Sequence, residues 1–123
     1  MKILIIDDEA PFRYMMAKIL VGGGYEVVMA EDGEHGLAMF HQERPDLVIC
    51  DLMMPHRNGL ETIAQIRRES PAMKVLAISG GGQAGPNMNL DGLATALETG
   101  ASEIIVKPVR AEDLLAQVNA ILG

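Results

Sequence analysis

The chain has 123 residues, the length of one domain, with 49% hydrophobic residues, 3% aromatic ones and no Trp, so a single core must be assembled from Ile, Leu, Val, Ala and Met. One cysteine, Cys50, excludes an internal disulfide and points to a reducing compartment. Lys and Arg number 10 against 17 Asp and Glu, a formal charge of −7, and the longest basic cluster is the pair Arg67-Arg68, which argues against direct nucleic-acid binding.

The amino terminus reads Met1-Lys2-Ile3-Leu4-Ile5-Ile6-Asp7-Asp8, an apolar run too short for a signal peptide and stopped by charge. No segment approaches the roughly 20 apolar residues needed to cross a bilayer. A soluble, cytoplasmic domain spanning residues 1–123 is the expectation. Short apolar runs alternate with amphipathic stretches, the pattern of βα units around a parallel sheet. The strand candidates, in order, are Ile3 to Ile6, Glu26 to Ala30, Leu47 to Cys50, Val75 to Ser79 and Glu103 to Val106. The first, third and fourth are apolar nearly throughout, as strands covered on both faces should be.

After the first strand, Phe12, Met15, Met16, Ile19 and Leu20 recur at the spacing of one buried helix face, and Pro11 suits the first turn. Gly22, Gly23 and Gly24 follow, where a left-handed cap is expected. Beyond the fourth strand, Gly80 to Asn89 (GGGQAGPNMN) has no periodicity and reads as a loop before a helix over Leu90 to Thr99. Leu114, Leu115, Val118, Ile121 and Leu122 mark a last helix. The chain stops one residue later, so a single-domain protein is expected.

Ligands of open parallel sheets bind beyond the carboxyl ends of the strands, where the strand order reverses. Asp7 and Asp8 follow the first strand, Asp51 the third, Ser79 ends the fourth and Lys107 follows the fifth. If the first and third strands are neighbours, three carboxylates share a pocket. Two such charges about 4 Å apart repel by roughly 4 kcal/mol at an effective dielectric near 20, so a cation belongs there. An oxygen-only donor set suits Mg²⁺. With Lys107 and a hydroxyl beside it, the pocket fits a phosphoryl group, transferred with charge neutralisation or taken up by an aspartate as an acyl phosphate. The pattern alone does not decide which aspartate is attacked. Singly, each residue also has an ordinary role: Asp as a cap or turn former, Ser79 as a turn residue, Lys107 as a surface charge.

In this order and spacing, Asp7-Asp8, Asp51-Leu52-Met53-Met54-Pro55 with Gly59 and Glu61, Ser79, Gly100-Ala101 and Lys107-Pro108 are similar to the receiver domain of two-component response regulators. The resemblance covers essentially the whole chain. It implies an α/β, flavodoxin-like fold: a five-stranded doubly wound parallel sheet of order 2-1-3-4-5 with helices on both faces. It also implies Asp51 as phosphoacceptor for a histidine kinase or phosphotransfer protein. Mg²⁺ would be held by the side chains of Asp8 and Asp51, by Asp7 through water and by the Met53 carbonyl. Ser79 and Lys107 would contact the phosphoryl group, and Lys107-Pro108 would be cis. The domain would act as a switch, assisting its own phosphorylation without being an enzyme on an outside substrate. The face of the fourth helix, fifth strand and fifth helix would pass the change to a separate target protein, with the chain a monomer or weak homodimer.

Two departures stand out. Ile104 occupies the place, three before the lysine, where such domains usually carry an aromatic residue, so activation is expected to rest on ordering Gly80 to Asn89. Met53 and Gly81 offer no acid or amide to orient a hydrolytic water, which predicts slow self-dephosphorylation. Gly80-Gly81-Gly82 with Gly85 follows the wrong strand for a nucleotide fingerprint. Cys50 reads as a core residue, and His35, His41 and His56 lack metal-ligand spacing. The alternatives are a pseudo-receiver acting only as a protein-binding module and a flavodoxin-like redox carrier, the latter disfavoured by the acidic first loop.

Overall fold

The computed structural model describes residues 1–52, 59–79, 101–106 and 109–123. Runs rich in Ile and Val fold as strands and the amphipathic stretches between them as helices, giving β1 (Lys2–Ile6), α1 (Ala10–Gly22), β2 (Glu26–Ala30), α2 (Gly33–Glu43), β3 (Leu47–Asp51), α3 (Gly59–Glu69), β4 (Lys74–Ser79), β5 (Glu103–Val106) and α4 (Ala111–Leu122). The five strands form one parallel sheet in the order β2-β1-β3-β4-β5. This is the expected doubly wound architecture. The predicted helix at 90–99, the loop at 80–89 and the Lys107-Pro108 bond lie outside the described residues.

Alternation along each strand divides the core into two layers. Ile3, Ile5, Leu47, Ile49, Leu76 and Ile78 face Met16 and Leu20 of α1 and Leu114 and Val118 of α4. Leu4, Ile6, Val48, Cys50, Val75 and Ala77 face Leu37 and Phe40 of α2 and Ile63 and Ile66 of α3. β1, β3 and β4 are therefore apolar on both sides. The strands outrun the apolar pattern by one residue at Lys2, Asp51 and Lys74. Lys2 can begin a strand because its side chain is largely covered while its ammonium reaches Glu43 Oε1 at 2.9 Å.

The stripe of α1 is narrower than its spacing suggests. Met16 and Leu20 are buried and Phe12 and Ile19 pack against them, but Met15 points outward beside exposed Tyr14. The expected left-handed cap is taken by Gly24, with φ +95°, and not by Gly23. At the other end Pro11 occupies the first turn, as expected, and no side chain caps the helix at Glu9. In α2 the Asp32 carboxylate caps the helix by accepting the His35 N–H at 2.8 Å.

At the amino ends of the strands the Lys74 ammonium donates to the Ile121 carbonyl at 2.8 Å. A groove lined by Met1, Pro45, Met73 and Leu122 lies beside it. Both chain ends therefore share one pole of the molecule.

Candidate functional site

The opposite pole holds the acidic cluster. Parallel pairing sets Ile6 of β1 against Cys50 of β3, which brings the following residues, Asp7 and Asp51, to the same level of the sheet. The ladders run past the strand ends: the Asp7 N–H donates to the Ala30 carbonyl at 3.1 Å and the Leu52 N–H to the Ile78 carbonyl at 2.9 Å. Asp7 and Asp51 are 0% and 2% exposed, whereas Asp8 stands at the solvent mouth. One carboxylate oxygen from each of Asp7, Asp8 and Asp51 lies within 4.8 Å of the others. β1 and β3 are the strands at which the sheet order reverses, so the cluster occupies the switch point that the chain connectivity defines.

Two hydrogen bonds shape the loop that displays Asp7 and Asp8. Asp7 Oδ1 accepts the Glu9 N–H at 2.8 Å, and the Arg13 guanidinium donates from Nη1 to the Asp7 main-chain carbonyl at 2.7 Å. Behind Asp51, the first residue of α3 is Gly59, whose N–H donates to the Leu52 carbonyl at 3.1 Å. Burial, reinforced by the charges of Asp51 and Asp7, pushes the Cys50 thiol well above its usual range. It stays protonated, and the expected core role of Cys50 holds.

Ser79 ends β4, partly buried, one residue beyond the Ile78 that pairs with Asp51, and it pairs with Val106 of β5. The structure thus unites Asp7, Asp8 and Asp51 and sets Ser79 on the neighbouring strand at the same end of the sheet. Lys107 and Met53 lie outside the described residues. Ile104, at the position of the usual aromatic, packs half-buried against the layer of α2 and α3. Arg13 belongs to no motif of the sequence. Its only signal there is its place near the start of α1, one to two turns after the acidic pair.

The donor chemistry fits a hard divalent cation. Ligand oxygens around octahedral Mg²⁺ sit about 2.1 Å from the ion and so roughly 3 to 4 Å from one another, close to the spread of these carboxylates. Among the described residues the set is made of carboxylate oxygens alone, the donor type that hard cations such as Mg²⁺ prefer.

A family model for the response regulator receiver domain matches residues 3–119. The chain is 39% identical over 121 residues to a protein named probable transcriptional regulator ycf27 from Guillardia theta, covering 98% of this chain and 45% of that one. It is 32% identical over 122 residues to the response regulator MprA of Mycobacterium avium (strain 104), covering 99% and 51%. Among solved structures, a response regulator receiver domain protein from Clostridium thermocellum superimposes with a TM-score of 0.88 at 33% identity, over 98% of this chain and 93% of that one. The chemotaxis protein CheY4 of Vibrio cholerae does so with a TM-score of 0.83 at 32% identity, over 98% of both chains.

The sheet order and the carboxylates at its switch point define a doubly wound α/β domain with an acidic site at the carboxyl ends of its strands. The chain belongs to the response regulator receiver-domain family. It spans about half the length of the curated relatives it matches. Among the described residues, no helix is long and apolar enough to cross a membrane.

Proposed function

We propose that residues 1–123 act as one receiver unit in the cytoplasm, that Asp51 accepts a phosphoryl group from a histidine kinase or phosphotransfer protein, and that a separate target protein reads the resulting change. The observation that carries this is the convergence of Asp7, Asp8 and Asp51 at the switch point of the sheet. A carboxylate oxygen of Asp51 attacks phosphorus, the bond from phosphorus to the donor's imidazole nitrogen breaks, and the nitrogen keeps the electron pair. The product is an acyl phosphate on Asp51.

Each residue of the pocket has a distinct task. Asp8 and Asp51 would hold Mg²⁺ through their side chains, Asp7 through a water and Met53 through its main-chain carbonyl. The ion supplies neutralisation of the charge gathered on the phosphoryl oxygens. Asp51 sits at the base of the pocket, 2% exposed, where its backbone pairs with Ile78 of β4, so its carboxylate meets the donor in one orientation. Ser79 would donate its hydroxyl to a phosphoryl oxygen and Lys107 would pair with another. In that role Ser79, at the end of β4, is the element whose position reports phosphorylation.

Intact-mass spectrometry after incubation with Mg²⁺ and acetyl phosphate tests the proposal. The wild type gains one phosphoryl group and Asp51→Asn gains none. A wild type that neither gains mass nor binds Mg²⁺ overturns the phosphoacceptor reading and leaves a protein-binding module.

A further inference from the structure

We infer that Arg13 is a positioning residue for the cation pocket, setting the Asp7-Asp8 loop through the Asp7 main chain. This rests on the proposed phosphoacceptor site. The loop between β1 and α1 carries two of the three carboxylates. α1 begins there with Pro11 in its first turn but without a side-chain cap at Glu9 and without an acidic residue in that turn, so neither a capping side chain nor an acidic first turn fixes its entry. The Asp7 carboxylate itself spans the turn by accepting the Glu9 N–H at 2.8 Å. That bond makes the turn depend on the same side chain that would face a cation. Arg13 holds the loop in another way, with Nη1 2.7 Å from the Asp7 carbonyl oxygen. This bond engages the main chain and not the carboxylate.

The neighbouring side chain holds the guanidinium in place. Arg13 lies 5.3 Å from the centre of the Tyr14 ring, within the range of a cation–π contact. Tyr14 is 57% exposed, so its ring serves as a ledge for Arg13 more than as core packing. From Tyr14 to the Asp7 carbonyl runs a short path from the surface of α1 to the mouth of the pocket.

The sign of the effect separates positioning from simple charge balance. If Arg13 acted as a counter-ion to the carboxylates, removing it would make the pocket more negative and tighten cation binding. As a positioning group its removal loosens the loop and weakens binding. The full chain with Arg13→Met, which keeps the apolar stem, is compared with wild type and Arg13→Lys by calorimetric titration of Mg²⁺. Amide exchange at Glu9 is followed in the metal-free proteins. The dissociation constant rises about fivefold to tenfold in Arg13→Met, the factor expected from the net worth of one hydrogen bond. Glu9 exchanges faster by a similar factor, and Arg13→Lys recovers part of both. Tyr14→Leu gives the same changes at about twofold, and decides the matter should Arg13→Met fail to fold. Unchanged or tighter Mg²⁺ binding with unchanged Glu9 exchange overturns the inference. If the wild type binds no Mg²⁺, the phosphoacceptor reading falls, and Glu9 exchange alone then upholds or overturns the positioning role.

Discussion

The α-carbon of Gly59 rests against the main-chain carbonyl of Asp51, so closely that a methyl group on Gly59 would collide with that oxygen and come within 2.6 Å of the Leu52 α-carbon. Both obstacles are backbone, which cannot turn aside as a side chain would. Gly59→Ala is expected to cost about 2 to 3 kcal/mol in urea denaturation and to reduce labelling of Asp51 by acetyl phosphate. Gly22, at the end of α1, has nothing within 4 Å of the corresponding position. Gly22→Ala should therefore be neutral or stabilising by up to about 1 kcal/mol.

Crowded carboxylates predict opposite effects with and without metal. Asp8 is the exposed member of the cluster, and Asp8→Asn removes one of its like charges. Without divalent ions the variant should be more stable than wild type by up to about 1 kcal/mol, the gain being limited by solvent screening. Millimolar Mg²⁺ should raise its melting temperature less than it raises that of the wild type. Equal Mg²⁺ shifts in the two proteins would remove Asp8 from the ligand set.

The buried thiol gives an alkaline signature. Burial above all, then the charges of Asp51 and Asp7, hold the folded Cys50 pKa far above its ordinary 9.0. Below pH 9 the thiol is protonated whether the chain is folded or not, and it adds no pH dependence. At higher pH only the unfolded chain ionises, so this residue makes stability fall as pH rises, by up to about 1.4 kcal/mol per unit. Denaturation midpoints from pH 8 to 10.5 should fall less steeply in Cys50→Ala, whatever offset the lost volume causes. Parallel slopes would contradict the assignment.

The entry to α2 offers a further test of local structure. Asp32 Oδ1 accepts the His35 N–H at 2.8 Å, and Asp32→Ala should cost about 1 kcal/mol. Asp32→Asn should restore most of the loss. Because α2 covers the face of β1 opposite α1, labelling of Asp51 should change little.

Much of this molecule is visible in its sequence, and the exceptions have physical causes. β1, β3 and β4 announce themselves because both faces are covered, leaving unbroken apolar runs. Their spatial order does not follow from periodicity, since pairing joins residues distant in the chain. The family resemblance implies it. The apolar pattern leaves Lys2 and Lys74 outside their strands because it ignores long charged side chains that begin a strand and hold partners at its end. Met15 satisfies the helical spacing but sits on the flank of the stripe, where the spacing cannot tell contact from exposure. The three aspartates were legible because each follows or ends a strand. Arg13 was not, because its partner is a carbonyl oxygen, an atom every residue possesses and no sequence motif marks. Lys107 and Met53, named from the resemblance, lie outside the described residues.

Met1 and Leu122 border one groove at the pole opposite the carboxylates. A tether on either terminus, whether a purification tag, a fluorophore or a surface linker, would leave on the side facing away from Asp51. The molecule can therefore be anchored to a sensor chip through either terminus with its acidic mouth turned outward, open to small molecules and proteins arriving from solution.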